Sequence, residues 1–202
     1  MISEVNEDII LLWRAFLKGD DKAFSAIYFA FIHQLLSYGH KLTDDRNIIL
    51  DSVQDVFIEM YEKRGKSHPD IMNPKAYLFI ALKSSIFKKL KRLQKTGEKE
   101  RNSELPVEFR AEYSFQDQLI SQEITEEVRR HLRNAIENLS VGQKEIIYLK
   151  FEEGLGYVEI ARIMEITVES ARKQLYRALT ALRNTMDPKV LFNLFSVFLK
   201  KN

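Results

Sequence analysis

A run of cationic and polar side chains near the C-terminus carries the clearest chemistry in this sequence. Residues 170–186 contain no acid, and their basic side chains fall on the face opposite an apolar stripe. Such a face suits nucleic-acid phosphates, and the positive end of the helix dipole strengthens that attraction. The side chains best placed to meet DNA are Thr167, Ser170, Arg172, Lys173, Gln174 and Arg177.

Predicted helices must position these side chains. Ser140 and Gln143 have the S-x-x-Q spacing of a capping box, which starts a first helix, and Gly154 and Gly156 end it. A second helix is predicted to begin at about Tyr157, with apolar residues spaced for one buried face.

Thr167 is the predicted N-cap of the third helix, which carries the cationic face. Two short helices joined by a tight turn, with the small Ala161 where they cross, form a helix-turn-helix pattern. In that motif the second helix enters the major groove of DNA. An ordinary helical hairpin without a DNA role is the alternative, because such motifs give false positives. The apolar stripe of the third helix comprises Val168, Ala171, Leu175, Ala178, Leu179 and Leu182.

A row of acids runs along one edge of the helix predicted over residues 46–63. Like charges four residues apart repel by a few tenths of a kcal/mol, so the row does not serve helix stability. Three interpretations remain open, which are a solvated face, a surface for a basic partner, and a two-carboxylate metal site without a histidine. The acids are Asp51, Asp55, Glu59 and Glu62.

A second basic segment follows in the next predicted helix, which Asn73 caps and Pro74 opens. Residues 83–95 contain six cations and no acid. Aromatic residues among the cations suit single-stranded nucleic acid, in which bases stack on rings and lysines follow the backbone. A basic helix end that complements its own dipole is the alternative, and it explains only one or two of the lysines.

Composition excludes several classes of function. The 31 basic and 29 acidic residues leave a net charge of +2, so any DNA-binding face must be local. Cysteine is absent, which removes thiolate nucleophiles and cysteine zinc sites. No catalytic constellation or phosphate loop is visible, so we expect no enzyme, cofactor or small-molecule substrate. The N-terminus lacks a signal-peptide pattern, and no apolar run approaches the ~20 residues that span a bilayer, so we expect a cytoplasmic protein without stable membrane insertion.

The predicted fold is all-α, with two helical domains joined by a flexible linker. Residues 1–95 form the predicted N-terminal domain, and residues 96–116, polar and broken by Pro106, form the linker. Residues 117–186 form the helix-turn-helix domain. Residues 187–202 are an apolar extension, predicted to fold as a helix against the second domain, with a protein partner or a membrane surface as alternatives.

The two halves together resemble the extracytoplasmic-function sigma factors of bacterial RNA polymerase. DSVQDVFIEMY at 51–61 is similar to the family's D-x-V-Q-E-x-F-x-x-x-W signature, and NPKAYLFIALKSSIFKKLKR at 73–92 is similar to the stretch that follows it. Residues 139–183 resemble the family's L-P-x-x-Q-R-x-x-F-x-L-x-x-x-E-G-x-S-Y-x-E-I-A pattern and its recognition helix. The resemblance covers roughly residues 19–186, and order and spacing agree in both halves.

The resemblance implies a role for each surface. Asp51, Gln54, Asp55 and Glu59 correspond to the family's docking surface for the clamp helices of the largest subunit of core RNA polymerase. The recognition helix would read the promoter −35 element as duplex, and the linker would thread toward the polymerase active site. An anti-sigma factor is a further implied partner. Residues implied in capture of the melted −10 strand are Arg64, Lys66, Ser67, His68, Asn73, Lys75, Tyr77, Lys83, Lys88, Lys89, Lys91 and Arg92.

Three positions depart from the family pattern. Gly156 replaces the Ser or Thr that usually caps the first motif helix, and Glu165 replaces a common turn glycine. Gln174 replaces a frequent Arg, so the inherited −35 preference does not transfer directly. Arg suits guanine and Gln suits adenine in bidentate contacts. The competing interpretation is a free-standing helix-turn-helix regulator that binds duplex DNA without polymerase.

Overall fold

The computed structural model describes residues 2–65, 73–95, 109 and 126–185. The chain divides into two compact units, Met1–Glu108 and Phe109–Asn202. Every secondary-structure element in the described residues is helical, which confirms the all-α prediction. Most of the predicted linker, the part of the predicted second domain before residue 126 and the apolar extension lie outside the described residues.

Four helices form the described part of the N-terminal unit. They are α1 (Ile2–Leu17), α2 (Asp21–Leu42), α3 (Arg46–Glu62) and α4 (Pro74–Lys95). Their apolar faces share one core, in which the rings of Tyr38 and Phe79 stack with centroids 4.9 Å apart.

Side-chain caps fix where these helices begin. Asp20 accepts hydrogen bonds from the backbone N–H groups of Lys22 and Ala23 at 2.8 and 3.2 Å, which starts α2. Asp45 caps α3 in the same way. Asn73 accepts from the N–H of Ala76 at 3.1 Å, so the predicted start of α4 is confirmed.

The crossing of α2 and α3 depends on a glycine inside a helix. Helix α2 continues through Gly39 to Leu42, and Gly39 is buried. A Cβ at this position would lie 2.7 Å from the Cγ2 of Ile49 on α3. The glycine therefore permits a close helix crossing and does not end a helix.

The C-terminal unit places three further helices around α8. The described elements are α5 (Glu126–Glu137), α6 (Val141–Ile147), a π-helical turn at Tyr148–Glu152, α7 (Tyr157–Ile163) and α8 (Val168–Thr185). Helices α5, α6 and α7 each pack on α8. The capping box is confirmed, because the Gln143 N–H donates to the Ser140 hydroxyl and the Ser140 N–H donates to the Gln143 side chain.

Two features near the π-helical turn were not predicted. The buried Tyr148 hydroxyl donates to the Glu153 carboxylate at 2.5 Å. Phe109, which falls inside the predicted linker, is 2% exposed, and its ring centroid lies 5.7 Å from that of Tyr148. Phe109 is therefore part of the core of the C-terminal unit.

Within the described ranges, no helix combines the length and the apolar content that a membrane crossing needs.

Candidate nucleic-acid interface

The turn between α7 and α8 has helix-turn-helix geometry. Glu165 adopts a left-handed backbone with φ of 55°, and the N–H of Ile166 donates to the Ala161 carbonyl at 2.9 Å. A non-glycine residue in this conformation costs on the order of 1 kcal/mol. Ala161, the small residue predicted at the crossing, is buried. Glu165 therefore occupies the expected turn position at a cost that the packing sustains.

A cap orients the beginning of α8. The N–H of Ser170 donates to the Thr167 hydroxyl at 3.1 Å, which confirms the predicted N-cap, and the two hydroxyls lie 2.8 Å apart. By contrast, Gly156 is the N-cap of α7 and makes no side-chain hydrogen bond. The buried face of α8 comprises Ala171, Leu175, Ala178 and Leu182, whereas Val168 and Leu179 are only half-buried.

The three cations of α8 that were predicted to meet DNA are exposed. The Arg172 guanidinium lies 5.5 Å from the ring centroid of Tyr157 in α7, and the Lys150 ammonium lies 5.2 Å from it. Lys173 pairs with Glu169 at 2.6 Å, with both side chains more than half exposed. An exposed pair contributes at most about 1 kcal/mol, so a phosphate can displace the carboxylate readily.

Gln174 lies against α6. It is half-buried, and a Cβ added to Gly142 of α6 would overlap its side-chain amide nitrogen. The side chain lines a cleft of about 370 Å³ between the beginning of α6 and the exposed face of α8. The lining residues are Ser140, Gln143, Ser170, Lys173, Gln174 and Arg177.

The predicted single-strand face of α4 contains cations in different environments. Lys88, Lys91 and Arg92 are exposed. Lys89 pairs with Asp55 of α3 at 2.8 Å, so this lysine also links two helices. The remaining two, Lys75 and Lys83, each lie 5.9 Å from a ring centroid of the same helix, those of Phe79 and Phe87.

Tyr77 faces the inside of the unit as well as its surface. It is half-buried, and its ring centroid lies 5.6 Å from that of Trp13 in α1. Burial raises the pKa of the Tyr77 hydroxyl, and the nearby Glu59 carboxylate adds to that effect. The Tyr77 ring therefore already packs against Trp13 inside the protein, whether or not it also stacks on a base.

Arg64 is held at the end of α3. Its guanidinium lies 2.5 Å from the Asp21 carboxylate and 3.9 Å from the ring centroid of Tyr61, whose hydroxyl also donates to Asp21 at 3.2 Å. The hydrogen bond from Arg64 lowers the pKa of Asp21, with the Tyr61 hydroxyl contributing, and the same bond raises the pKa of Arg64. Three other residues of the predicted −10 set, Lys66, Ser67 and His68, lie outside the described residues.

The acidic row of α3 lies beside an apolar groove. Asp51, Gln54, Asp55 and Glu59 are exposed, and intramolecular ion pairs join Asp55 to Lys89 and Glu59 to Lys63. The groove, of about 720 Å³, lies between α2 and α3 and is lined mainly by apolar and aromatic side chains, with Gln54 and Glu62 at its polar positions.

Sequence reasoning missed this groove. Leu50, Ile58 and Tyr61 line it although they are 44%, 47% and 36% exposed. Their spacing of eight and eleven residues along one helix face was the available signal, since it predicts an apolar stripe separate from the buried one. Across the described residues, no group of three or more possible metal ligands gathers, so the structure gives no support to a carboxylate metal site on α3.

The chain is similar to known transcription proteins along most of its length. Residues 129–182 match the family described as Sigma-70, region 4. The ECF RNA polymerase sigma-E factor of Escherichia coli strain K12 is 26% identical over 197 residues, which cover 94% of this chain and 99% of that protein. The RNA polymerase sigma-H factor of Pseudomonas aeruginosa is 23% identical over 178 residues, covering 85% of this chain and 90% of that protein.

Solved structures share the fold. The sigma factor RpoE from Bartonella quintana, in complex with the anti-sigma factor NepR, aligns with a TM-score of 0.54 at 22% identity and covers 81% of this chain and 96% of its own. CnrH, in complex with the cytosolic domain of CnrY, aligns with a TM-score of 0.53 at 19% identity over 88% of this chain and 95% of its own. With a matched region 4, sequence relatives that span both units and a shared helical fold, the chain is similar to the extracytoplasmic-function sigma factors.

Proposed function

We propose that this protein binds core RNA polymerase and directs transcription initiation at specific promoters. The observation that carries the proposal is the exposed cationic start of α8. It is capped by Thr167, follows the left-handed turn at Glu165 and lies within the segment that matches region 4. A cationic helix face with that presentation is suited to a major groove.

Helix α8 reads the −35 element as duplex in this proposal. Arg172, Lys173 and Arg177 are exposed and share the outward side of the helix with Ser170. Arg172 is the leading candidate for base contact, because a guanidinium binds the O6 and N7 atoms of guanine with two hydrogen bonds. Lys173 presents a point charge, which suits a phosphate better than a base.

The segment from the end of α3 into α4 captures the melted −10 strand. Exposed Lys88, Lys91 and Arg92 supply charge for the backbone of a single strand. Unstacking a base costs a few kcal/mol, which stacking and phosphate contacts offset. Arg64, held by Asp21 and Tyr61, would fix the beginning of this segment.

The α2–α3 surface docks on the clamp helices of the largest polymerase subunit. It combines an apolar groove with the exposed Asp51 and Gln54, which is the mixture of buried apolar contact and polar rim found at protein interfaces. An anti-sigma factor is the second partner that we propose, because one structural relative was solved with such a factor. Competition for this surface would restrain the protein.

A free-standing DNA-binding regulator is not favoured. That class needs only the helix-turn-helix unit, whereas the sigma-E relative matches 94% of this chain, including the acidic helix and the basic α4. A regulator of this kind also binds a palindromic duplex tightly as a dimer. We propose that this chain binds promoter duplex weakly until polymerase is present.

Charge reversal at Asp51 tests the docking surface. Asp51 is exposed and no ion pair joins it to another described residue, whereas Asp55 also holds Lys89, so reversal at Asp55 would disturb the α3–α4 contact. We expect Asp51→Lys to weaken binding to core polymerase by roughly tenfold, which is about 1.4 kcal/mol. Asp8→Lys, at an exposed position of α1, is the matched control. Unchanged affinity for Asp51→Lys, or an equal loss for Asp8→Lys, would refute the assignment of this surface.

A further inference from the structure

Gln174 differs from its neighbours on the predicted DNA face. Arg172, Lys173 and Arg177 are exposed, but Gln174 is half-buried and its amide nitrogen occupies the space above Gly142. A side-chain amide must present both its oxygen and its nitrogen to an adenine edge to bind it with two hydrogen bonds. An amide seated on α6 does not present that pair to DNA.

The absence of a side chain at Gly142 makes its contact with Gln174, here called the seat, possible. Any side chain at position 142 would overlap the Gln174 amide nitrogen, which is the far end of a flexible side chain. A small residue there would therefore displace the amide without forcing the backbone of α6 and α8 apart. Alanine also has the higher helix propensity by up to ~1 kcal/mol, so Gly142→Ala removes the seat at little cost in folding.

The seat lies between α6 and α8, the two helices that line the cleft. Ser140, which caps α6, and Gln143 of α6 line one side of the cleft. Ser170, Lys173 and Arg177 of α8 line the other side, and Gln174 reaches from α8 to α6. Lys173 precedes Gln174 by one residue, and Arg177 follows it by three. The contact of Gln174 with α6 therefore affects where these two cations lie relative to α6.

We propose that Gln174 is a positioning residue that contacts no base. Its side chain packs on Gly142 and thereby fixes the position of the cleft-lining side of α8 relative to α6. The inference rests on the proposed function for its effect on promoters, but the seat itself exists without DNA. Removal of Gln174 changes the placement of phosphate-binding cations. Its loss therefore lowers initiation at every −35 sequence by a similar factor.

The promoter experiment compares every single-base variant of the −35 element in reconstituted initiation. Gln174→Ala is expected to lower initiation roughly two- to tenfold on all of them, the effect of losing one modest polar contact. The matched control is Arg172→Ala, which is expected to lose discrimination of roughly tenfold or more at one base pair. Loss of preference at a single base pair in Gln174→Ala would overturn the proposal.

A second experiment examines the seat in the full chain without polymerase or DNA. Gly142→Ala should move the side-chain amide NMR signals of Gln174, and its effect on initiation should be absent when position 174 is already alanine. Unmoved signals, or equal effects of Gly142→Ala in both backgrounds, would overturn the seat. If the unaltered chain fails to initiate, the proposed function fails, and the amide signals still decide whether the seat exists.

Discussion

Arg172 of α8 lies over the ring of Tyr157 in α7, with its guanidinium carbon 5.5 Å from the ring centroid. A cation over an aromatic face gains about 0.5–1 kcal/mol at an exposed site. The contact links α7 and α8 at the residue that we propose contacts a base. We propose that Tyr157 orients Arg172 before DNA binds.

This contact gives the first prediction. Arg172→Ala should relax preference at one −35 base pair at a cost of about 1–3 kcal/mol. Tyr157→Leu should reduce the same preference by less, about 0.5–1 kcal/mol, because the guanidinium remains but is no longer oriented. A double-mutant cycle read from initiation on matched and mismatched promoters measures the coupling.

The cycle has a control in Lys150, which lies 5.2 Å from the same ring. Lys150→Met removes this second cation while leaving Tyr157 and Arg172 in place. We expect the Arg172–Tyr157 coupling to persist in that background. Additive effects of Arg172→Ala and Tyr157→Leu would show that the ring does not orient the guanidinium.

The second prediction concerns pH and the Asp21–Arg64 pair. The pKa of Asp21 lies below its ordinary value of 3.8, mainly because Arg64 donates a hydrogen bond to the carboxylate. A lowered folded-state pKa means that the contribution to stability is full above pH 3.8 and is lost as pH falls through the lower value. The pair should therefore stay intact throughout the neutral range.

Carboxyl-carbon NMR measures this titration directly. Asp21 should titrate with a midpoint below 3.8 in the unaltered chain and closer to 3.8 in Arg64→Gln. Tyr61→Phe removes the hydroxyl that also donates to Asp21, so a smaller rise is expected there. A midpoint at or above 3.8 in the unaltered chain would contradict the pairing.

The third prediction tests the close crossing of α2 and α3. Gly39→Ala introduces a Cβ that would lie 2.7 Å from the Cγ2 of Ile49, a side chain that is fully buried. Overpacking of this kind costs typically 1–3 kcal/mol. Urea denaturation of Gly39→Ala should show that loss, whereas Ser37→Ala, at an exposed position of α2, should change the free energy of unfolding by less than about 0.5 kcal/mol. Equal stability of Gly39→Ala and the unaltered chain would rule out the tight crossing.

Much of the fold could be predicted because its signals are local. Ser140 and Gln143 specify a capping box by their spacing alone, and Asn73 with Pro74 specifies the beginning of α4. The exposed charges of α8 follow from the opposite apolar stripe, which a helical period of 3.6 residues locates. These inferences need no knowledge of which elements meet in space.

The remaining features depend on contacts between residues far apart in the sequence. Glycine is typical of helix ends, but Gly39 lies inside α2. The reason is its close approach to Ile49 on the neighbouring helix, which the sequence does not show. Lys89 looks free in the sequence, but its partner Asp55 is on another helix. The π-helical turn and the burial of Phe109 against Tyr148 are likewise decided by packing, which local propensity does not encode.

We propose that this chain directs initiation through polymerase. The most direct measurement is transcription reconstituted from the purified full chain and core RNA polymerase of its host, on genomic fragments, with the RNA start sites sequenced. We predict defined start sites that share −35 and −10 sequences and that require both components, with weak binding of the same duplexes by the chain alone. Tight, specific duplex binding by the chain alone, with no start sites and no association with polymerase, would contradict this role.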